Sequence, residues 1–455
     1  GSRIFAAGLG GPFIIHPSVF TDSFERRGST TITTPAYSYL DFDFLGDDAK
    51  ATFANGILNV QGTKGNDSIV FGRTSDLKRL QVSVNGKTLT RVLLSAVKQI
   101  RVLARDGDDS ITINNLAKPF FIDGGNGIDT LVVNGSPAGS RFVLNANALT
   151  FNGRVVSLNN LEGLTIQGGK AADLLTVQAF PDMPVVFNAG SGIDGIKVPL
   201  TANTWNITAL NGGSVNTSLR FTGVENLTGG STSDSFRFSP GTKITGKING
   251  KTGDNTLDYS AWTSAVTVNL LKGTATGTRG VKNINIVLGG AGADNLTAGA
   301  AGSVLVGNGG NDILNGGAGH DILLGGAGAD VIRGGGGRDI LIGGTGTDLL
   351  VGGAGEDICI GGTTIFYNES AQTIDLLALR AIMAEWRGVG AFIDRVTHLN
   401  QGGGLNGDTL LASTTLSDDA VLRLAHRARI GEEDMRIVNE VAHRIREEGY
   451  AVGPA

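Results

Sequence analysis

Seven aspartates stand at matching places in a glycine-rich stretch of this 455-residue chain: Asp294, Asp312, Asp321, Asp330, Asp339, Asp348 and Asp357. Each holds position six of one of eight consecutive nonapeptides running from Gly289 to Ile360: GGAGADNLT, AGAAGSVLV, GNGGNDILN, GGAGHDILL, GGAGADVIR, GGGGRDILI, GGTGTDLLV and GGAGEDICI. Glycine holds positions one, two and four in most copies, and a tight glycine turn can point its carbonyls inward. Position eight is always aliphatic or small and apolar, from Leu296 to Cys359. A carboxylate within a ring of carbonyls suits a hard cation, which takes oxygen ligands. The carbonyl donors expected beside the seven carboxylates are those of Gly310, Gly317, Gly319, Gly326, Gly328, Gly335, Gly337, Gly344 and Gly346. Residues 289–360 carry a net charge of −6 and the whole chain only −5, so the acidic excess is concentrated at these turns. Stacked carboxylates repel unless a cation lies between them. A merely solvated acidic face would not require glycine at fixed offsets from each Asp.

Such turns need a framework that repeats with them. Two nonapeptides make an 18-residue rung, so every second turn should stack on the same edge. Asp294, Asp312, Asp330 and Asp348 then line one edge and Asp321, Asp339 and Asp357 the other, with Ser303 where the second repeat lacks its acid. The nonapeptides resemble the RTX (repeats-in-toxin) family of calcium-binding repeats. That resemblance covers 289–360 and implies calcium as the ion and a parallel β-roll as the fold. Such a roll is expected to fold as it binds, because metal binding and folding share one free energy.

A longer period of the same turn extends upstream. Acid-bearing turns fall at Asp48, Asp67, Asp109, Asp129, Asp173, Asp194 and Asp234, with Asn255 completing the series. Each long gap holds a turn without the acid: Asn85-Gly86, Asn152-Gly153, Asn211-Gly212 and Lys272-Gly273. Turns therefore recur every 18–24 residues in super-repeats of about 60. Runs such as Ser68–Phe71, Ser110–Ile113 and Thr130–Val133 read as short strands with alternating burial. Two readings of the Asn-Gly turns are open: corners of continuous rungs, which is the favoured one, or β-hairpins, since Asn-Gly is also the preferred hairpin turn. The upstream Asp turns read as structural first and as metal sites second, because Asp in a glycine turn also bonds its own backbone. Residues 50–288 resemble the β-strand repeats of large bacterial surface proteins that often precede RTX blocks.

The expected fold is an all-β solenoid. A right-handed parallel β-helix of ~20-residue rungs over 46–288 continues into an RTX parallel β-roll over 289–362, with a small α-helical C-terminal segment. Residues 1–45 are an N-terminal cap region, with strands at Thr31–Thr34 and Tyr37–Phe44 to cover the first rung. Residues 363–420 are a capping segment in which Leu376, Leu379, Met383 and Trp386 fall at helical spacing. Part of it (Ala381–Trp386, Leu405–Gly407, Ser417–Asp419) resembles tails that follow RTX blocks in bacterial surface proteins. Residues 421–455 form a C-terminal helix opened by Glu432, Glu433 and Asp434, with Met435, Val438, Ala442 and Ile445 as its apolar stripe. It reads as a surface helix, with an export signal as the alternative.

Composition narrows the function. Seventy-one glycines with few prolines and a fixed period indicate a solenoid, not a low-complexity linker. No apolar run reaches the ~18 residues of a membrane span. The single Cys359 staples nothing within the chain, which fits an extracellular protein that uses calcium instead of disulfides. HExxH, GxSxG and Walker A patterns are absent, and of five His only His16 precedes the nonapeptides. An acidic chain without a basic stripe is a poor nucleic-acid binder. The reading is a calcium-binding structural or adhesion protein, extracellular or on a bacterial cell surface, with cell-surface or matrix polysaccharide as a partner class. The rival is a polysaccharide-binding or -cleaving β-helix enzyme fragment, in which the RTX module serves export and folding.

Overall fold

The computed structural model describes residues 48–198 and 201–411, together with the backbone of the strands Phe24–Arg26, Thr30–Ile32 and Leu422–His426. The chain divides into two units, Gly1–Ala49 and Lys50–Ala455. In the first, Phe24–Arg26 pairs antiparallel with Thr30–Ile32, so the strand expected at Thr31–Thr34 starts one residue earlier. The strand expected at Tyr37–Phe44 lies outside the described residues.

From Lys50 onward the chain alternates between two largely parallel sheets. Gln99–Asp106 lies in the first, Ser110–Asn114 in the second, Phe120–Asn126 in the first again and Thr130–Asn134 in the second. Each strand pairs in register with the one a rung away, Ile100 with Phe120 and Ile111 with Leu131. Every second side chain turns inward, which is the strand period of two made visible. Rings from opposite sheets meet in the core: Phe71 and Phe120 lie 5.1 Å apart edge-on, and Phe142 and Phe187 6.1 Å apart.

The favoured reading of the Asn-Gly turns is corrected here, because they are hairpin turns. Asn85 and Gly86 take φ of 50° and 78°, and Asn152 and Gly153 take 47° and 79°. Positive φ at both residues suits the tight turn that matches strand twist, and Asn-Gly reaches it cheaply. Each hairpin belongs to a three-stranded antiparallel meander laid within a sheet. Arg141–Asn145, Ala148–Phe151 and Arg154–Ser157 form one in the first sheet, and Thr204–Ala209, Gly212–Val215 and Leu219–Thr222 one in the second. The meander of Ser68–Arg73, Arg79–Val84 and Lys87–Leu93 is also in the second sheet. At the last turn Thr267–Asn269 and Thr274–Ala275 form a hairpin on the nonapeptide strand Asn295–Thr297. The following Thr278–Lys282 ends the first sheet, so this segment joins that sheet to the nonapeptide strands that continue it. Meanders thus alternate between sheets. Each adds two strands, roughly 9–10 Å at the usual strand spacing, so alternation keeps the two sheets level. At the first end of this unit each sheet finishes in an antiparallel strand, Lys50–Ala54 in the first and Lys87–Leu93 in the second.

In the nonapeptides the rung shortens to 18 residues. Leu305, Leu323, Leu341 and Cys359 stack in the second sheet, and Leu296, Leu314, Ile332 and Leu350 in the opposite one. Two helices follow: α1 (Leu376–Trp386), capped by the Asp375 side chain on the Ala378 N–H, and α2 (Phe392–Gln401). The helical segment, expected as a second cover for the core, lies along the outer face of the second sheet, where Leu379, Ile382, Met383 and Trp386 join Val304, Val306, Ile322, Leu324, Ile340, Ile342, Ile358 and Ile360 in one buried cluster. The reason is in the repeats: those ending VLV, ILL, ILI and ICI are apolar on both faces, whereas the opposite sheet turns Ile313, Arg333 and Leu349 outward. Leu422–His426, placed by the sequence in a helical tail, is a strand pairing antiparallel with the last rung strand, Glu356–Ile360. The helix expected to open at Glu432 lies outside the described residues. Among the described residues no helix is long and apolar enough to cross a membrane.

Candidate metal centre

The aspartates form two hydrogen-bonded ladders, divided as the 18-residue rung requires. On one edge the Asp294 N–H donates to Asp312 Oδ1 (2.7 Å), Asp312 to Asp330 (2.7 Å) and Asp330 to Asp348 (2.9 Å). On the other edge Ser303 donates to Asp321 (2.7 Å), Asp321 to Asp339 (2.8 Å) and Asp339 to Asp357 (3.0 Å). One carboxylate oxygen of each rung is thereby used to order the next. The second oxygen is what matters for a ligand. Oδ2 of Asp312, Asp321, Asp330, Asp339, Asp348 and Asp357 is buried and has no hydrogen-bond partner. A buried carboxylate oxygen without a partner is costly, so six in register call for a counter-charge.

Asp294 differs from the other six. Its Oδ2 accepts from the Gly290 N–H at 2.7 Å and its Oδ1 from the Val266 N–H at 2.7 Å, so the protein satisfies both oxygens. The backbone at position two decides which state a turn takes. Gly317, Gly326, Gly335, Gly344 and Gly353 have φ of 101–117° and Asn308 has 70°, and in those turns no N–H reaches Oδ2. We call these turns open. Gly290 lacks the positive φ, its N–H turns inward, and the turn is closed. Ser303 closes its own turn in the same way, accepting from the Gly299 N–H at 3.0 Å.

Glycine at position four is also a packing requirement. A Cβ on Gly328 would overlap the Gly310 carbonyl oxygen, one on Gly346 that of Gly328, and one on Gly337 that of Gly319. The carbonyls of one turn therefore project onto the backbone of the next. Among the described residues no point gathers three or more His, Cys, Asp or Glu side chains, so a cation here must draw on these carbonyls as well. A hard ion such as calcium accepts that mixture.

Electrostatics agrees with the geometry. Burial, reinforced by the neighbouring carboxylates of the ladder, pushes Asp312 and Asp339 up to about 8, against the ladder N–H that holds each down. Burial likewise raises Asp321 and Asp330 to about 6. Near neutral pH Asp312 and Asp339 prefer a proton until a cation takes its place, and all four shifts mark negative charge that burial leaves uncompensated.

Two contacts escaped the sequence reading. Glu369 bonds Thr345 through its N–H (2.9 Å) and hydroxyl (2.6 Å), and the Tyr367 hydroxyl donates to Asn308 Oδ1 at 2.8 Å. Both tie the segment after the repeats to the turns. No spacing signals them, because they depend on how the helical segment lies on the sheet.

Residues 280–301, 288–323, 299–332 and 333–363 match the family model of the RTX calcium-binding nonapeptide repeat, in four copies. Residues 280–363 are an RTX calcium-binding block. No curated protein matches the chain. The RTX match identifies calcium as the ion these repeats bind, and the six open turns fit it.

Proposed function

We propose that this is a calcium-stabilised structural protein, secreted or displayed on a bacterial surface, whose RTX block folds when calcium fills the open turns. The observation that carries the reading is the set of six buried, unpartnered carboxylate oxygens in two ladders. The ions would be held by Asp312, Asp321, Asp330, Asp339, Asp348 and Asp357 with carbonyls of the turn glycines between Gly310 and Gly346, while Asp294 ends its ladder as a structural residue. Extracellular calcium sites commonly work at Kd near 10⁻⁴–10⁻³ M. Such a block stays empty at cytosolic calcium and fills outside the cell.

The adhesion role is supported by the architecture. A long two-sheet solenoid offers extended side faces for contact with a large partner. The test is retention of the full chain on bacterial surface polysaccharide in millimolar calcium and in chelator, with reducing ends assayed in parallel. Calcium-dependent retention without new reducing ends supports adhesion. Release of reducing ends supports the glycan-cleaving alternative.

A further inference from the structure

The aspartate ladder does not begin at the RTX block. The Asp67 N–H donates to Asp109 Oδ1 (2.7 Å), Asp109 to Asp129 (2.8 Å), and Asp129 to Glu162 Oε2 (2.6 Å). The open and closed states recur there under the same rule. Asp67 is closed: its Oδ2 accepts from the Thr63 N–H (2.6 Å), and its Oδ1 also accepts from Asn85 Nδ2 (2.7 Å). Asp109 and Asp129 are open. Their position-two residues, Arg105 and Gly125, have φ of 92° and 108°, beside 104° at Gly326 in the RTX block. Both side chains are buried (1% and 0% exposed), and Oδ2 of each has no partner. The two turns also stack as RTX turns do. A Cβ on Gly125 would overlap the Arg105 carbonyl oxygen and one on Gly127 that of Gly107, position two on two and four on four.

Asn255 shows what the free oxygen of an open turn faces. It holds the same position in the turn that starts at Gly250, and its position-two residue Lys251 has φ of 69°. Its Oδ1 takes the ladder bond from the Asp234 N–H at 2.9 Å. Its amide Nδ2 points at four backbone carbonyls, those of Lys251 (3.4 Å), Thr252 (3.4 Å), Gly253 (3.3 Å) and Asn283 (3.0 Å). An amide donor satisfies that ring of carbonyls. A carboxylate oxygen in its place repels them unless a cation joins the two.

We propose that the paired open turns ending in Asp109 and Asp129 form a calcium site in the upstream solenoid, some 150 residues before the RTX block. Its ligands are the free carboxylate oxygens of Asp109 and Asp129 and the carbonyls of their two turns. The site goes beyond the RTX repeats and does not depend on the secretion or adhesion reading.

The test is calcium stoichiometry of the full chain by equilibrium dialysis. Asp109→Asn/Asp129→Asn should bind at least one ion fewer than wild type and still fold, because Asn255 shows that the ladder accepts an amide. Asp67→Asn, in a closed turn, should bind the wild-type number. Equal counts for the double variant and wild type overturn the proposal. Should the double variant fail to fold, calcium anomalous scattering from wild-type crystals decides. Density among residues 104–109 and 124–129 supports the site, and density confined to 289–360 overturns it.

Discussion

The upstream solenoid and the RTX block share one edge chemistry and differ in what fills the space behind it. Upstream, large rings pack the interior: Trp205 stacks on Phe236 at 5.5 Å, and Phe238 on Tyr259 at 5.0 Å. The RTX block has no ring inside its rungs, only one aliphatic residue or Cys359 per repeat. Burying a large apolar side chain contributes roughly 1.5–3 kcal/mol, and glycine costs about 0.5–1 kcal/mol relative to alanine where a strand must be ordered. The upstream rungs can stand on their core. The RTX rungs are thin and glycine-rich with open turns on both edges, and on the proposed reading they need the ion. If the proposed calcium-dependent folding holds, one fold serves as a permanent scaffold upstream and as a calcium-dependent segment in the RTX block.

Removing calcium should break the comparison most visibly. In chelator, amide protection across 289–360 should collapse, while strands from Arg141 to Leu288 keep theirs. Hydrogen exchange in chelator and in millimolar calcium reads this directly. Unchanged protection in 289–360 would sink calcium-dependent folding.

The pH response should come next in size. In the metal-free fold Asp312 and Asp339 sit at about 8 and Asp321 and Asp330 at about 6, against an ordinary 3.8. A carboxyl raised by folding contributes stability that is fully present below its unfolded value and lost as pH rises through the folded one. The metal-free RTX block should therefore lose stability from about pH 4 to 8, while calcium affinity rises over the same window as protons leave. Thermal melts in chelator at pH 5 and pH 8, with calcium titrations at each, check both signs.

Core truncations sharpen the contrast by location. Trp386 is fully buried, and its indole N–H donates to the Glu356 carbonyl at 2.6 Å. Trp386→Ala should cost the calcium-loaded block about 3–5 kcal/mol, the usual range for losing such a ring, and spare the upstream half. Phe142→Ala should do the reverse. Region-resolved exchange under rising denaturant separates the two.

Single carboxylates should rank last. Asp330→Ala removes a free buried oxygen and should raise the calcium midpoint for folding several-fold. Asp294→Ala acts in a closed turn where both carboxylate oxygens are satisfied. Asp173→Ala acts in an upstream turn closed on Oδ2 by the Gly169 N–H, with Oδ1 buried and unpartnered. Lying at the block's edge and outside the RTX block, respectively, both should leave the midpoint near wild type. Circular dichroism titrations of the three variants give the order, and an unmoved midpoint for Asp330→Ala would count against ions in the open turns.

The two-edge division of the RTX aspartates was legible because a nine-residue period admits few ways of stacking. The hairpins were harder to read. Asn-Gly serves as a corner or as a hairpin turn with the same backbone preference, and only the register of neighbouring strands separates the two. The sidewall position of α1 was written in the aliphatic triplets of alternate repeats, yet a search for one inward residue per repeat passes over them. Open and closed turns were not legible: Gly290 and Gly326 are the same residue at the same repeat position, one with an inward N–H and the other with φ of 104°.

By itself the sequence determined the rung length, the identity of the edge carboxylates and the chemistry of their ligand, since period and donor type follow from residue order alone. The tertiary structure decided which carboxylates keep an oxygen free. That choice depends on the φ of one backbone residue per turn, set by the rung stacked against it, and glycine leaves both signs of φ open until the neighbouring turn is in place.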